Sequence, residues 1–359
     1  MVKIGSNGLT YYNGAEDFAK KLKGQGGFAL VMANTGTAII PGITAAGATP
    51  ELTVYTPPLD AEFVHTGRII TLDEIPFTPP FVPTPGIITR AVISISDFKE
   101  FYIDAGLKYS PVVPHYRVGF GPGNDIRNGN AVTDVKEIIE NAKRVGAEIA
   151  EKVDYLVIGE SIPAGTTTAL GVLLALGLSM EGYTSSSMYQ NPQQLKASVV
   201  MEGLAKSGIN GSCDPIKAIE SVGDPMMAGT IGLILGASRK GIPVVLAGGT
   251  QMASVLVLLS RMYDIGSFNI ALSTTRWVAE DGSSNLFGIL KQAGINIPVL
   301  VANLSFAGMK YEGLKLYENG YVKEGVGAGG ISAVAMVNGT PKEKIESTVE
   351  EIYAKLCGQ

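Results

Sequence analysis

The chain of 359 residues is 46% hydrophobic and 17% charged, the balance of a folded protein with a sizeable core and not of a disordered chain. A formal charge of -5 and an isoelectric point near 5.3 leave no basic footprint for a nucleic acid backbone. Two well-separated cysteines, Cys213 and Cys357, and only two histidines, His65 and His115, cannot assemble a zinc-type ligand spacing, so neither a metal nor a disulfide framework is expected. His115 reads as a surface or packing residue. The Met1-Val-Lys-Ile start carries no apolar stretch of signal-peptide length, and a cytoplasmic setting is expected.

In chain order, "GFALVM" at 27–32 reads as a first buried strand. The stretch "PFTPPFVPTP" from Pro76 to Pro85 is too rich in proline for a central strand or a helix and reads as a long extended loop. Next, "IITRAVISI" at 87–95 is β-branched and reads as a strand, while "GFGPGNDIRNG" at 119–129 reads as a glycine-rich loop. The segment 133–153, with Thr133 as cap and apolar residues at helical spacing, predicts a helix leading into a strand at 154–159. Beyond it, helical patterns in "QQLKASVVMEGLAKSG", "MMAGTIGLILGASRKG", "TQMASVLVLLSRM" and "SSNLFGILKQAG" alternate with strands at 242–248, 268–272 and 297–303. The tail is an amphipathic helix, capped at Thr340 with Pro341 in its first turn.

Such alternation predicts an α/β fold: a three-layer, mostly parallel sheet with helices on both faces and a small helical subdomain. The chain 1–359 is expected to form one catalytic unit, with any small subdomain drawn from the N-terminal segment and the helix at 340–358. Two charge-free stretches, 161–180 and 241–260, have membrane-spanning length. Each carries a Gly/Thr cluster and an early proline, which fits a buried strand, turn and helix better than a lipid-facing span.

Ligands of open α/β sheets bind beyond the carboxyl ends of the strands. There the sequence places Gly159, Glu160, Gly165, Thr166 and Thr167 after one strand, Gly248, Gly249 and Thr250 after a second, and Asn303 and Ser305 after a third. Glycines let backbone N–H groups approach an anion, and threonines opening a helix add hydroxyl donors at its positive end. Taken singly, each loop is equally a turn and a helix cap; taken together they point to a phosphate. "GESIPAGTTT" lacks the lysine and spacing of a P-loop, and "GFGPGNDIRNG" is interrupted by Pro122, so neither nucleoside triphosphate hydrolysis nor dinucleotide binding is expected. In "GYVKEGVGAGGISAVAMV", Glu324 stands among Gly325 and Gly327 before a small-residue helix. It is either a solvated loop residue or a buried base with a raised pKa. Glu160 either accepts hydrogen bonds within its own loop or holds a ribose hydroxyl.

The two clusters, "VIGESIPAGTTTALG" and "VKEGVGAGG", resemble the motifs G-E-M-G-I-G-N-T-T and L-G-E-G-T-G-A of the nicotinate-nucleotide:dimethylbenzimidazole phosphoribosyltransferase family, and "GDPMMAGTIGLILGASRKGIPVVLAGG" is similar to its D-P to D-G-F stretch. The order agrees across roughly residues 150–337, and "MANTGTAIIPGITAAGATPELTVYTP" resembles a divergent archaeal and cyanobacterial branch. The chain departs from the pattern at Ser161 (methionine in the motif), at Pro163-Ala164, at Ala247 (aspartate in the motif) and at Ala33-Asn34-Thr35-Gly36, where bacterial members have A-D-H-G. The resemblance implies transfer of the phosphoribosyl group of nicotinate mononucleotide to an aromatic base, with Glu324 as catalytic base, no metal and no cofactor. It also implies cobalamin lower-ligand assembly, small-molecule partners, and a homodimer. Two rivals are a pyrophosphate-type phosphoribosyltransferase, which needs two adjacent acids where only Glu160 stands, and a nucleotide-binding regulator without turnover. Trp277, the one tryptophan, reads as a packing residue.

Overall fold

The computed structural model describes residues 2–5, 7–72, 77–78, 80–179 and 182–358. Its strands are β1 (Val2–Ile4), β2 (Leu9–Tyr12), β3 (Gly26–Ala33), β4 (Phe77–Thr78), β5 (Val82–Pro83), β6 (Phe98–Gly106), β7 (Tyr116–Arg117), β8 (Tyr155–Ser161), β9 (Val244–Ala247), β10 (Ile270–Thr275) and β11 (Val299–Ala302). Nine of them form one sheet in the order β1-β2-β11-β10-β9-β8-β3-β6-β7. From β11 to β7 every neighbour is parallel; β2 joins β11, and β1 joins β2, antiparallel.

Alternation along each strand explains the three layers. In β3, Ala29, Val31 and Ala33 enter one apolar core and Phe28, Leu30 and Met32 the other; in β8, Leu156 and Ile158 oppose Tyr155 and Val157 in the same way. The first core is covered by the helices Val135–Ala150, Gly165–Ala175, Gln193–Ser207, Pro225–Ser238 and Thr250–Met262; the second by Thr56–Thr66, Gly86–Ile95, Ala328–Val337 and Lys342–Leu356. The N-terminal strands complete a sheet edge and the C-terminal helix packs on Gly86–Ile95.

Several sequence expectations are corrected. Residues 87–95 form the helix Gly86–Ile95, because Ile87, Ile88, Ala91 and Val92 recur at helical spacing and are all buried. The strand that pairs there with β3 is instead β6, whose Lys99, Glu100 and Asp104 hid it. Thr133 does not cap Val135–Ala150: Asp134 holds that position in the left-handed conformation, φ 58°, with no side-chain cap. Thr340 likewise does not cap the last helix, whose cap position is Pro341. Within 76–85, residues 76 and 79 lie outside the described set, and the rest contains the short antiparallel pair β4 and β5. Among the described residues no helix is long and apolar enough to cross a membrane. The stretches at 161–180 (residue 180 lies outside the described set) and 241–260 divide into strand, turn and helix.

The chain runs outward from β3 to β6 and β7 on one side, and from β8 through β9 and β10 to β11 on the other. The strand order therefore reverses between β3 and β8, and the crevice that opens at such a point, beyond the carboxyl ends of the strands, is where α/β sheets bind ligands.

Candidate functional site

A crevice lies at that reversal point, about 1270 Å³ with its open mouth included, and a largely apolar cleft with a few convergent polar groups is the usual form of a small-molecule site. Its lining is polar at Glu160, Thr166, Ser185, Ser186, Thr250 and Glu324, and an apolar wall is formed by Leu52, Tyr55, Leu59, Ile69, Leu72 and Phe77.

Two helices open on the crevice, at Gly165 and at Thr250, and neither carries a side-chain cap. Their first-turn N–H groups and positive dipole ends are those of an anion site. A third uncapped helix, Ala328–Val337, has its start occupied from within: Gly329 N–H donates to Glu324 Oε1 at 3.0 Å. Glu324 Oε1 also accepts from Gly325 N–H at 3.2 Å, and Oε2 accepts from Thr275 N–H at 2.9 Å and Thr274 Oγ1 at 3.3 Å. Burial of the carboxyl nevertheless outweighs these four donors and pushes its pKa up to about 7.

Backbone geometry beside Glu324 is tight. Gly159 and Gly327 pack face to face, so that a Cβ on Gly159 would sit 2.8 Å from the Gly327 Cα. Val326, which precedes Gly327, has φ 54°, an unusual conformation for a β-branched residue. It is held from both sides: Val326 N–H donates to Glu160 O at 2.7 Å, and Thr89 Oγ1 donates to Val326 O at 2.8 Å. Ala164, at the start of the helix Gly165–Ala175, also has a positive φ, 64°. Strain concentrated at two crevice loops is the pattern of a functional site.

Of the residues singled out from sequence, Glu160, Gly165, Thr166, Gly249, Thr250, Glu324 and Gly325 line the crevice together. Gly159 and Gly327 support it from behind. Gly248, one residue short of the lining, donates its N–H to Ser273 O at 2.9 Å, and Thr167 is fully buried away from the lining. Asn303 and Ser305 are not brought to the crevice: β11 lies three strands from β8, roughly 14 Å at the usual strand spacing. Asn303 instead donates to Thr10 Oγ1 at 3.1 Å, and Ser305 N–H to Glu346 Oε1 at 2.7 Å. Trp277 is buried against Phe306 and Tyr317, and His115 bonds the Val113 carbonyl at 2.8 Å outside the crevice lining.

The sequence reading missed the loop around 184–187 and what stands behind it. Ser185 N–H donates to Thr250 Oγ1 at 3.0 Å, its Oγ to Asp281 Oδ2 at 3.2 Å, and Ser187 Oγ accepts from Ala45 N–H at 3.1 Å, so this loop ties three walls together. Beneath it Lys196 Nζ, fully buried, donates to Ser185 O at 2.7 Å and Thr184 O at 3.1 Å, and Lys323 Nζ pairs with Asp281 at 3.3 Å, both nearly inaccessible. Neither lysine lines the crevice; both brace the loop from behind. The only hint in the sequence was the hydroxyl run "TSSS" at 184–187. Among the described residues no group of three or more His, Cys, Asp or Glu is arranged to hold a metal ion.

A family model described as Phosphoribosyltransferase matches residues 94–276. UPF0284 proteins are 42% identical in Sulfurisphaera tokodaii over 330 residues, 92% of this chain and 93% of the relative, and 45% identical in Pyrococcus furiosus over 334 residues, 92% and 98%. The solved nicotinate-nucleotide-dimethylbenzimidazole phosphoribosyltransferase of Thermus thermophilus has a similar fold, with TM-score 0.60 over 96% of this chain and 91% of that one at 18% identity. The chain belongs to the phosphoribosyltransferase family, alongside the archaeal UPF0284 proteins.

Proposed function

We propose that the protein moves the 5′-phosphoribosyl group of nicotinate mononucleotide to an aromatic base of the benzimidazole type, releasing nicotinate, as a step in assembling the lower ligand of a cobalamin-like cofactor. The observation that carries this reading is a single carboxyl of pKa about 7, Glu324, in one crevice with two uncapped helix N-termini. The 5′-phosphate would lie against the Gly165-Thr166 and Gly249-Thr250 turns and the Ser185–Ser187 hydroxyls, in the field of two helix N-termini.

In nicotinate mononucleotide the ring nitrogen bonded to C1′ is cationic. Breaking that bond returns the electron pair to a neutral pyridine nitrogen, so the leaving group needs no acid. The unprotonated ring nitrogen of the incoming base forms the new bond to C1′, and its second ring nitrogen surrenders its proton to Glu324. With a pKa near 7, Glu324 is ionised often enough at neutral pH to accept that proton and basic enough to take it. Glu160, with its raised pKa, stays protonated and offers an O–H to a ribose oxygen.

Incubation with nicotinate mononucleotide and a benzimidazole is expected to release free nicotinate, measured by chromatography. Glu324→Gln should lose roughly 10²- to 10⁴-fold in turnover, the usual worth of a general base, with the nucleotide still bound by calorimetry. Undiminished turnover in that variant overturns the role of Glu324. Nucleotide binding with no nicotinate released against any base favours a binding protein without turnover.

A further inference from the structure

Among the crevice-lining residues of the segment 44–85, which supplies the apolar wall, one is charged and stands where that wall meets Ser161. Asp60, on the helix Thr56–Thr66, lines the crevice next to Leu59, yet is only 5% exposed. Its Oδ1 accepts from Thr84 Oγ1 at 2.8 Å and its Oδ2 from Ser161 Oγ at 2.7 Å. Both donors are themselves buried, and both line the crevice. Ser161 stands where the resembled motif has methionine. Among the described residues no lysine or arginine pairs with Asp60. Each carboxyl oxygen accepts one hydrogen bond and keeps a second lone pair.

A purely hydrocarbon ring edge seated here would complete the desolvation of a carboxyl that has no cation, a poor arrangement for both partners. A ring that brings its own donor removes that penalty. We propose that the acceptor base carries a hydrogen-bonding substituent, an amino or hydroxyl group on its ring, and that Asp60, oriented by Ser161 and Thr84, selects it over a methylated ring. The inference rests on the phosphoribosyl-transfer reading for the identity of the apolar wall as the base site. Asp60 is a specificity residue and takes no part in the bond exchange at C1′.

Equilibrium binding separates this claim from that reading. Amino-substituted benzimidazole and its methyl-substituted isostere, titrated calorimetrically into the full chain, differ by one donor at equal volume. The wild type is expected to bind the amino compound roughly ten- to a hundredfold more tightly, the range for a hydrogen bond to a charged group. Asp60→Ala should bring the two affinities within a few-fold of each other. Asp60→Asn, which keeps the volume and one acceptor oxygen, should retain a smaller preference and guards against a misfolded alanine variant. Equal or reversed affinities in the wild type, a preference that survives Asp60→Ala, or no measurable binding of either base overturns the inference. A preference seen in binding, abolished by Asp60→Ala and unaccompanied by nicotinate release, upholds selection by Asp60 and overturns the transfer reading alone.

Discussion

Glu160 is 2% exposed, and burial first, then the negative Glu324, Asp224 and Asp60, raise its pKa well above the ordinary glutamate value, with the Ile162 N–H opposing. The folded-state value exceeds the unfolded one, so the native protein holds this proton more tightly and loses stability as rising pH removes it. Gln has the same shape and a donor NH₂ but no proton to lose. Glu160→Gln is therefore expected to raise the melting temperature of the ligand-free protein above about pH 7; a lower melting temperature there would mean that the ionised side chain stabilises the fold. Glu160, Glu324 and the Gly/Thr turns were legible in the sequence because each directly follows a strand or precedes a helix, where local pattern fixes position. Asp60 and Lys196 were not, since each comes to its place by tertiary packing across tens of residues; Lys323 stands next to Glu324 in the sequence, but its pairing with Asp281 is likewise set by packing.

Strands with both faces buried were read correctly because β3, β8, β9, β10 and β11 are short continuous apolar runs. The segment 87–95 failed that logic. Its β-branched residues favour a strand locally, and burial of one face against Thr56–Thr66, Ala328–Val337 and Lys342–Leu356 overrides the preference. The tightest helix pair, Val135–Ala150 on Pro225–Ser238, depends on glycine: a Cβ at Gly236 would collide with the Lys143 carbonyl and the Ala147 N–H, and one at Gly146 would lie 2.5 Å from Leu233 O. Here backbone meets backbone, so no side chain can yield. Gly236→Val should destabilise the protein by about 1–3 kcal/mol or more through overpacking. Guanidinium denaturation would register a lower midpoint, while the crevice, to which neither helix contributes a lining residue, should keep the nucleotide binding proposed above. An unchanged midpoint would refute the close-contact account.

Around the reversal point the molecule buries four carboxyls, and this sets how its stability answers to pH. Burial pushes Asp60 and Asp224 from 3.8 up to about 6 and Glu324 from 4.5 up to about 7, and Glu160 is raised further by its neighbours. Each two-unit shift is worth ~3 kcal/mol, though sites this close titrate jointly and the shifts do not add. In all four the native state binds more protons than the unfolded chain between the two pKa values, so stability is greatest on the acidic side of that window and falls as pH rises through it. Glu62 and Asp281 behave oppositely. Burial raises both, but the Thr71, Ile70 and Val112 donors around Glu62, and Lys323 with Ser283 and Ser284 around Asp281, outweigh it. Their stabilisation is lost only as pH falls below the ordinary carboxylate range, which bounds the stable window from below. Lys196 works against the four raised acids from about pH 6 upward: burial first, then the neighbouring Lys323, lowers it to about 7 with Asp281 opposing, so the native state releases this proton while the unfolded chain keeps it, and its contribution to stability rises with pH and offsets part of the carboxyl slope. The ligand-free protein should accordingly melt at a higher temperature near pH 5 than near pH 7.5 in scanning calorimetry, a direction opposite to that of proteins whose carboxyls are salt-bridged. Asp224→Asn, whose amide oxygen still accepts from the Met227 N–H and whose NH₂ can donate to the Thr168 hydroxyl oxygen, removes one of the raised acids and should flatten that slope. A melting temperature that instead climbs steadily from pH 5 to 7.5 would show that these carboxyls are ionised in the native state and that their charge is balanced from another source.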